Sequence, residues 1–366
     1  MTKKNIAILL LEDSDINEVV DFHNLIYKDN RTREEFIWEF YKAPAGKAIY
    51  VVAKDVETKK IVGTQCAIPI NLITAEGTTI LSAKSEDTLV HPDYRGLNIF
   101  ENMYQLLFKK CRENNIKYIW GFTSAKKPFL KQGFTIPYDH SQSLLVINTL
   151  TSFKYLSELN THNNAFDRFR IFILCVLSKL LSLKTYFPHR MAIVEDLTSV
   201  VKDKTYEHDN SHLLKFALDK SFAIKQDSSF LKWRIVNNPY HDQIINISFF
   251  EKSKIIANII FNEHKEGIWY LINDVYLNGL EKSQKISLLN KAVKLLLKQK
   301  EHKVNLIRTW DFSHNEYGKN EIEVRKKNGF LHLERGISFV WKILDEKETL
   351  SPHKFILSRI ATQGVI

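Results

Sequence analysis

The amino-acid sequence predicts an α/β chain made of two copies of one domain, each a mixed, mostly antiparallel sheet flanked by helices. Three observations carry this. Segments of strand period alternate with amphipathic helical segments in the first 150 residues. A length of 366 residues is comfortable for two cores. Most telling is an internal repeat. "FIWEFYKAP" (Phe36–Pro44) returns as "FLKWRIVNNP" (Phe230–Pro239), with Trp38 and Trp233 each six positions before a Pro, at an offset of 195. "KKIVG" returns as "SKIIA" (Ile61 against Ile255, offset 194), and "FLKQGF" as "VRKKNGF" (Gly133 against Gly329, offset 196). Chance similarity of apolar words would scatter these offsets.

Taken in order, the first copy reads as strand 6–11, helix 16–27 and helix 32–41, the last ending before Pro44. Strands follow at 48–54, 60–72 (interrupted by Pro69) and 78–90. Next come helix 99–114, strand 117–122, a short helix near 127–132 and a strand pair to about Asn148. The division expected is a first domain over 1–150, a helical linker over 151–205, a second copy over 206–345 and a tail over 346–366.

Within the linker, "FDRFRIFILCVLSKLLSLKTYF" has a longest uncharged run, Ile171–Ser178, far below the ~20 residues of a membrane-spanning helix. It is read as a bridging helix that buries its apolar face between two domains. The alternative is peripheral membrane contact through residues 166–187.

The net charge of +10 favours anionic partners, among them phosphorylated cofactors. Its basic residues are interspersed with acids and show no aromatic-basic ladder, so nucleic acid is not expected as a partner. Cys66, Cys111 and Cys175 are widely spaced, and the thirteen His form no helical pair with acidic support; neither a disulfide framework nor a metal site is written here. The start, "MTKKNIAILLLEDSD", lacks a cleavage site and reads as a strand, which makes the reducing cytoplasm the expected compartment.

One stretch carries chemistry. In "TLVHPDYRGLNIF" a strand ends in an Arg95-Gly96 turn and a long amphipathic helix begins near Ile99. Unpaired N–H groups, the positive end of a helix dipole and a guanidinium together suit a pyrophosphate.

The wider pattern resembles the GNAT superfamily of acyl-coenzyme A-dependent transferases. "VHPDYRGLNIF" is similar to that family's "V-x-P-x-Y-R-G-x-G-[IL]-[GF]" form, and "IKYIWGFT" and "FLKQGF" fall where its fifth strand and its "Y-x-x-x-GF" element stand. The likeness covers about residues 4–148 and repeats weakly over about 214–342. Asn98 replaces the first signature Gly, and Phe100 stands where Gly or Ala usually follows. Asn is the best substitute for Gly at positive φ, and Phe100 is expected to point into the core.

The resemblance implies acetyl-coenzyme A, or another acyl-coenzyme A, as co-substrate and no metal. It implies a cofactor grip by Arg95, Gly96, Leu97, Asn98, Ile99 and Phe100, and a backbone N–H near Leu89 and Val90 that polarises the thioester carbonyl. Glu86 and Asp87 point to opposite faces by strand alternation, and whichever faces the cleft is the candidate base. The family's usual acid, a Tyr, is Phe129 here, so either proton return to the thiolate falls to Ser124, Thr123 or water, or the reaction does without it. In the second copy, "DVYLNGLEKSQKISLL" has no Arg-Gly turn and is expected not to bind the cofactor.

The resulting expectation is an N-acyltransferase for a small amine, such as an amino sugar or sugar nucleotide of surface polysaccharide biosynthesis. The alternatives are a non-catalytic scaffold that keeps the fold, and an aminoacyl-tRNA-dependent peptidoglycan cross-bridge transferase.

Overall fold

The computed structural model describes residues 4–160, 164–185, 197–203, 210, 213, 221–240, 243–300 and 303–362. The expected start of the second copy at residue 206, part of the linker and the last four residues of the tail lie outside the described residues.

The chain opens with β1 (Ile6–Leu10), α1 (Ile16–Tyr27), α2 (Arg33–Tyr41), β2 (Ile49–Asp55), β3 (Ile61–Thr74) and β4 (Thr79–Val90). Then come α3 (Ile99–Glu113), β5 (Tyr118–Thr123), α4 (Lys126–Lys131) and β6 (Thr135–Asp139). After β7 (Ser141–Val146), α5 (Thr149–Glu158) and α6 (Ala165–Ser182) it continues through β8 (Leu197–Asp203), β9 (Phe222–Ile224), β10 (Ile244–Glu251), β11 (Lys254–Lys265) and β12 (Ile268–Tyr276). The rest is α7 (Lys282–Gln299), β13 (Leu306–Asp311), α8 (Glu316–Lys327), β14 (Leu331–Leu333), β15 (Ser338–Ile343) and β16 (Phe355–Ile356).

These elements form two units. One comprises residues 1–139, 237–240 and 337–354; the other comprises 140–236, 241–336 and 355–366. The division is not the linear one expected from the repeat, and strand exchange is the reason. In the first unit the strand order is β1-β2-β3-β4-β5-β15-β6, so a strand from residues 338–343 lies between β5 and β6. In the second the order is β14-β7-β13-β12-β11-β10-β8, so β7 pairs with β13 and not with β6. Each of these strand orders thus contains one strand from the far half of the sequence, and the boundary falls after Asp139 rather than near residue 150.

Local chemistry accounts for the helices. Thr32 caps α2 in a reciprocal box with Glu35, which satisfies two of the helix's orphan donors. Ile99, Met103, Leu107 and Cys111 recur every four residues on α3 and bury against Val51, Ala53, Val62 and Ala67 of the sheet. In the second unit Leu288, Leu289, Ala292, Val293 and Leu296 of α7 do the same against Ile245, Ile247, Ile259 and Phe261. Gly133 and Gly329, matched in the repeat, both hold positive φ (73° and 86°) after their helices, a conformation that favours glycine there. Trp38 and Trp233 are both buried, so the repeated Trp is a packing residue in each copy.

α5 and α6 both belong to the second unit. α6 turns Cys175, Ser178 and Ser182 inward, with Ser178 Oγ donating to Leu144 O and accepting from Val146 N, both at 3.2 Å. This differs from the bridging helix expected to bury its apolar face. Two β7 backbone groups are satisfied by a serine, which brings the small polar side of α6 onto the strand.

Candidate functional site

β4 is hydrogen-bonded to β3 as far as Gly63↔Val90 but to its parallel neighbour β5 only over Ser82↔Tyr118, Ala83↔Ile119 and Lys84↔Trp120. The two strands still touch at Gly121, where a Cβ would lie 2.9 Å from Ser85 O. Beyond that point the pairing ends, and Glu86–Val90 carry no strand partner on the β5 side among the described residues. Leu89 is buried and Val90 half-buried on this stretch. Ser124 lies exposed just past the carboxyl end of β5, at the same end of the opening. Thr123 is buried, and its Oγ1 accepts from Ala125 N at 3.0 Å.

The turn after β4 is pinned from several sides. Tyr94 donates to Asp55 Oδ2 at 2.7 Å, Lys4 donates to Asp93 O at 2.8 Å, and Arg95 N donates to Pro92 O at 3.2 Å. Arg95, Gly96, Leu97 and Asn98 are all exposed, whereas Ile99 is buried. Gly96 has φ +83° and open space around it. Asn98 sits at φ 56°, ψ 23°, the left-handed conformation for which Asn substitutes best. Its side chain does not cap α3. The helical ladder starts with Asn102 N donating to Asn98 O at 3.0 Å, which leaves the N–H groups of Ile99, Phe100 and Glu101 projecting ahead of it. Phe100 packs on Tyr104 and Phe129, with ring centroids 4.8 and 5.6 Å away, so its bulk goes into the core and clears the turn. The geometry is that of a basic, uncapped helix N-terminus beside an opened sheet, which is what a pyrophosphate needs. Lys126 pairs with Asp139 at 3.1 Å, and Lys127 is exposed beside it.

The carboxylates of β4 part company. Register places Cys66 opposite Glu86 and Thr64 opposite Leu89, so Asp87 and Thr88 together face Gln65: a β-bulge. Asp87 takes φ 51° at this bulge. Its buried carboxylate lies 3.0 Å from His23 Nδ1 on α1 and accepts from Arg31 at 3.1 Å and from the Tyr50 hydroxyl. Burial alone would raise its pKa, but Arg31, His23 and Tyr50 outweigh it and hold the carboxyl well below the usual range. An ionised Asp accepts only, so the His23 proton sits on Nδ1. Glu86, the half-exposed member, is in contact with the buried Lys84 ammonium. Tyr27, exposed on α1, stacks at a tilt on His23, 4.7 Å between centroids.

A third carboxylate belongs to the same cluster. Glu39 on α2 accepts from Tyr240 at 3.1 Å and lies 3.7 Å from Arg31; burial pushes its pKa up to about 7 against the pull of Arg31. Sequence reading missed His23, Arg31, Glu39, Tyr50, Lys84 and Tyr240. Of these, only Glu39 stood in a quoted motif, and nothing in its spacing points to Asp87. Phe129 is buried among Phe100, Tyr104 and Phe134, so no proton donor is presented from that position. Tyr138 stacks on Phe339 and His140 on Trp310, which assigns both to packing, each within its own unit.

The second copy repeats the opening and fills it. β12 pairs with β13 over three residues only, ending at Tyr270↔Arg308. Arg325 of α8 then spans the divergence, donating to both oxygens of Asp274 on β12 (2.6 and 2.7 Å) and to Asp311 on β13 (2.5 Å). Asp311 also accepts from Ser143 (2.5 Å) and pairs with His332 (2.8 Å), while Lys285 pairs with Glu321 (3.0 Å). The helix that follows starts at an acid: Glu281 caps α7, its N–H donating to Gln284 at 2.9 Å.

Residues 7–136 match the family described as the acetyltransferase (GNAT) domain. No curated protein sequence matches the chain. The fold is similar to that of a tandem GNAT protein from the clavulanic acid biosynthesis pathway, with 10% identity over 94% of this chain and 100% of that one, at a TM-score of 0.59. It is also similar to a probable N-acyltransferase from Enterococcus faecalis V583 (9% identity, 93% of this chain, 73% of that one, TM-score 0.59). Saccharomyces cerevisiae N-myristoyltransferase, solved with myristoyl-CoA and inhibitors, is a third (14% identity, 93% and 82%, TM-score 0.58). Residues 7–136 thus carry a GNAT acetyltransferase domain, and the fold of the chain as a whole is similar to that of tandem GNAT proteins.

Proposed function

We propose that the first unit is an acyl-coenzyme A-dependent N-acyltransferase, with acetyl-coenzyme A as the expected donor and a small amine as acceptor. The observation that carries this is the uncapped start of α3, with Arg95 at its mouth, opening beside the β4–β5 divergence. Arg95 and the N–H groups around Gly96 to Phe100 hold the donor's pyrophosphate. The acyl carbonyl then runs along the β5-facing edge of Glu86–Val90, where the backbone near Leu89 and Val90 polarises it.

Glu86 is the base, because Asp87 is ionised, buried and already accepts from Arg31 and Tyr50 with His23 beside it. The amine nitrogen forms a bond to the acyl carbon and gives its proton to Glu86, directly or through water. The carbon–sulfur bond breaks, and the thiolate is reprotonated by solvent or by Ser124. Asp87 is a positioning residue that ties α1, Arg31 and β2 to the bulge. A polar acceptor side with Lys84, Glu86 and Tyr27 suits an amine carrying hydroxyl groups, such as an amino sugar or sugar nucleotide. A role in surface polysaccharide biosynthesis and a cytoplasmic setting complete the reading.

Calorimetric titration with acetyl-coenzyme A, followed by thiol release on a panel of amino sugars, amino acids and peptides, tests this. Saturable one-site binding with acceptor-dependent thiol release supports it. Binding without turnover on any acceptor favours a scaffold, and turnover only with aminoacyl-tRNA favours the cross-bridge reaction.

A further inference from the structure

α6 sends only part of its apolar surface inward: Leu174 packs on the core cluster of Leu144, Val146 and Tyr155, but most of its large apolar side chains face the other way. A surface helix normally buries its large apolar residues and shows its small polar ones to solvent. Here Cys175, Ser178 and Ser182 are buried against the second unit, and Ser178 is bonded to the β7 backbone. Close approach at this face is real: a Cβ on Gly329 would come within 2.4 Å of Leu181 O. The outward side carries Phe166, Phe169, Ile173, Leu177 and Leu180, spaced three and four residues apart, each exposed, with Phe166 68% and Leu180 58% accessible. Phe172 and Leu183 widen the stripe. At 1.5 Å per residue the stripe runs about 20 Å along the helix. Contiguous exposure of this kind marks an interaction surface.

The charges around it are mostly basic, and Asp167 lies 4.0 Å from Arg170. Arg168, Arg170 and Lys179, with Lys184 in the turn that follows, accompany a single acid, Asp167. On a helical wheel Arg170 borders one side of the stripe, and Arg168 and Lys179 border the other. Two copies apposed through this face would set these cations against one another. An anionic bilayer complements both parts, taking the aromatic and aliphatic side chains below its headgroups and the guanidinium and ammonium groups at headgroup level. No described helix is long and apolar enough to cross a membrane, so the contact is in the plane of the interface.

We propose that α6 docks the protein on an anionic membrane surface through the Phe166–Leu180 stripe and its basic borders. This stands independently of the transfer reaction. The test is cosedimentation of the full chain with phosphatidylcholine vesicles and with vesicles containing a quarter phosphatidylglycerol, with light scattering to record the oligomeric state. Binding to the anionic vesicles at least tenfold tighter than to the neutral ones is expected. The triple variant Phe169→Ser, Leu177→Ser, Leu180→Ser should lose that binding at least tenfold while melting no lower than the parent, since all three side chains are exposed. Arg168→Glu with Arg170→Glu should lose it as well. Absence of binding by the parent chain overturns the proposal, as does undiminished binding by the triple variant. A parent dimer that the triple variant turns into a monomer would assign the face to a second copy.

Discussion

The two copies open the same pair of strands and use the opening in opposite ways. In the first, β4 and β5 part after Lys84, and the turn beyond presents Arg95, two left-handed residues and the bare start of α3. In the second, β12 and β13 part after Tyr270, and the gap is tied shut by Arg325 between Asp274 and Asp311. Even the bulge has moved: it lies between Glu86 and Leu89 in β4, but between Leu271 and Asn273 in β12, where Asp274 pairs in register with Ile259. The lesson concerns electrostatics at one place in one fold. A helix start with a cation and no cap invites an anion from outside, whereas α7 starts behind Glu281, whose N–H is taken by Gln284, and the cation of its opening is taken up by Asp274 and Asp311.

The strongest way to break this comparison is to cut the tie. Arg325→Ala leaves two buried aspartates without their cation, and the second unit should lose about 3–5 kcal/mol in urea unfolding. It should gain no affinity for acetyl-coenzyme A, because Glu281 still caps α7. A stability loss below about 1 kcal/mol would mean that the tie is ornamental and the copies differ for another reason.

In the first copy, Glu86→Gln should lower turnover about a hundredfold, near 2.7 kcal/mol, with the donor's Kd unchanged. Full activity of that variant on the true acceptor would move the base elsewhere. Arg95→Ala should weaken donor binding by about 1.5–3 kcal/mol, as for a charge-assisted hydrogen bond, while Lys282→Ala at the corresponding helix start should do nothing. Equal losses from the two, measured by calorimetry, would erase the asymmetry.

The smallest expected effect sharpens the comparison through pH. Glu39 titrates at about 7 when folded against 4.5 as an ordinary carboxyl, so its contribution to stability is fully present below pH 4.5 and is lost as pH rises through 7. Glu39→Gln should therefore match the parent near pH 4.5 and exceed it by about 1–3 kcal/mol at pH 8. A variant less stable than the parent at pH 8 would show that Glu39 is held as an ion pair with Arg31.

Much of the first copy was legible in its residues. Helix 16–27 appears with the expected bounds, and Thr32, Asn98 and Phe100 behave as local chemistry dictates. The reason is range: caps, turns and helical period are settled by residues within one or two turns of one another. The repeat and the Arg-Gly turn belong to the same class, since both are read along the chain. What only the tertiary structure decided is everything that depends on distant partners. Strand exchange sends β7 to β13 and β15 to β5, pairings between residues more than 150 positions apart that no period in the sequence encodes. Asp87 was separated from Glu86 as a candidate only by His23, Arg31 and Tyr50, which arrive from two helix-linked segments and another strand. α6 has the periodicity of an ordinary core helix, and only the tertiary structure shows that the face turned inward is the one where Ser178 bonds two backbone groups of β7, contacts that a leucine could not make.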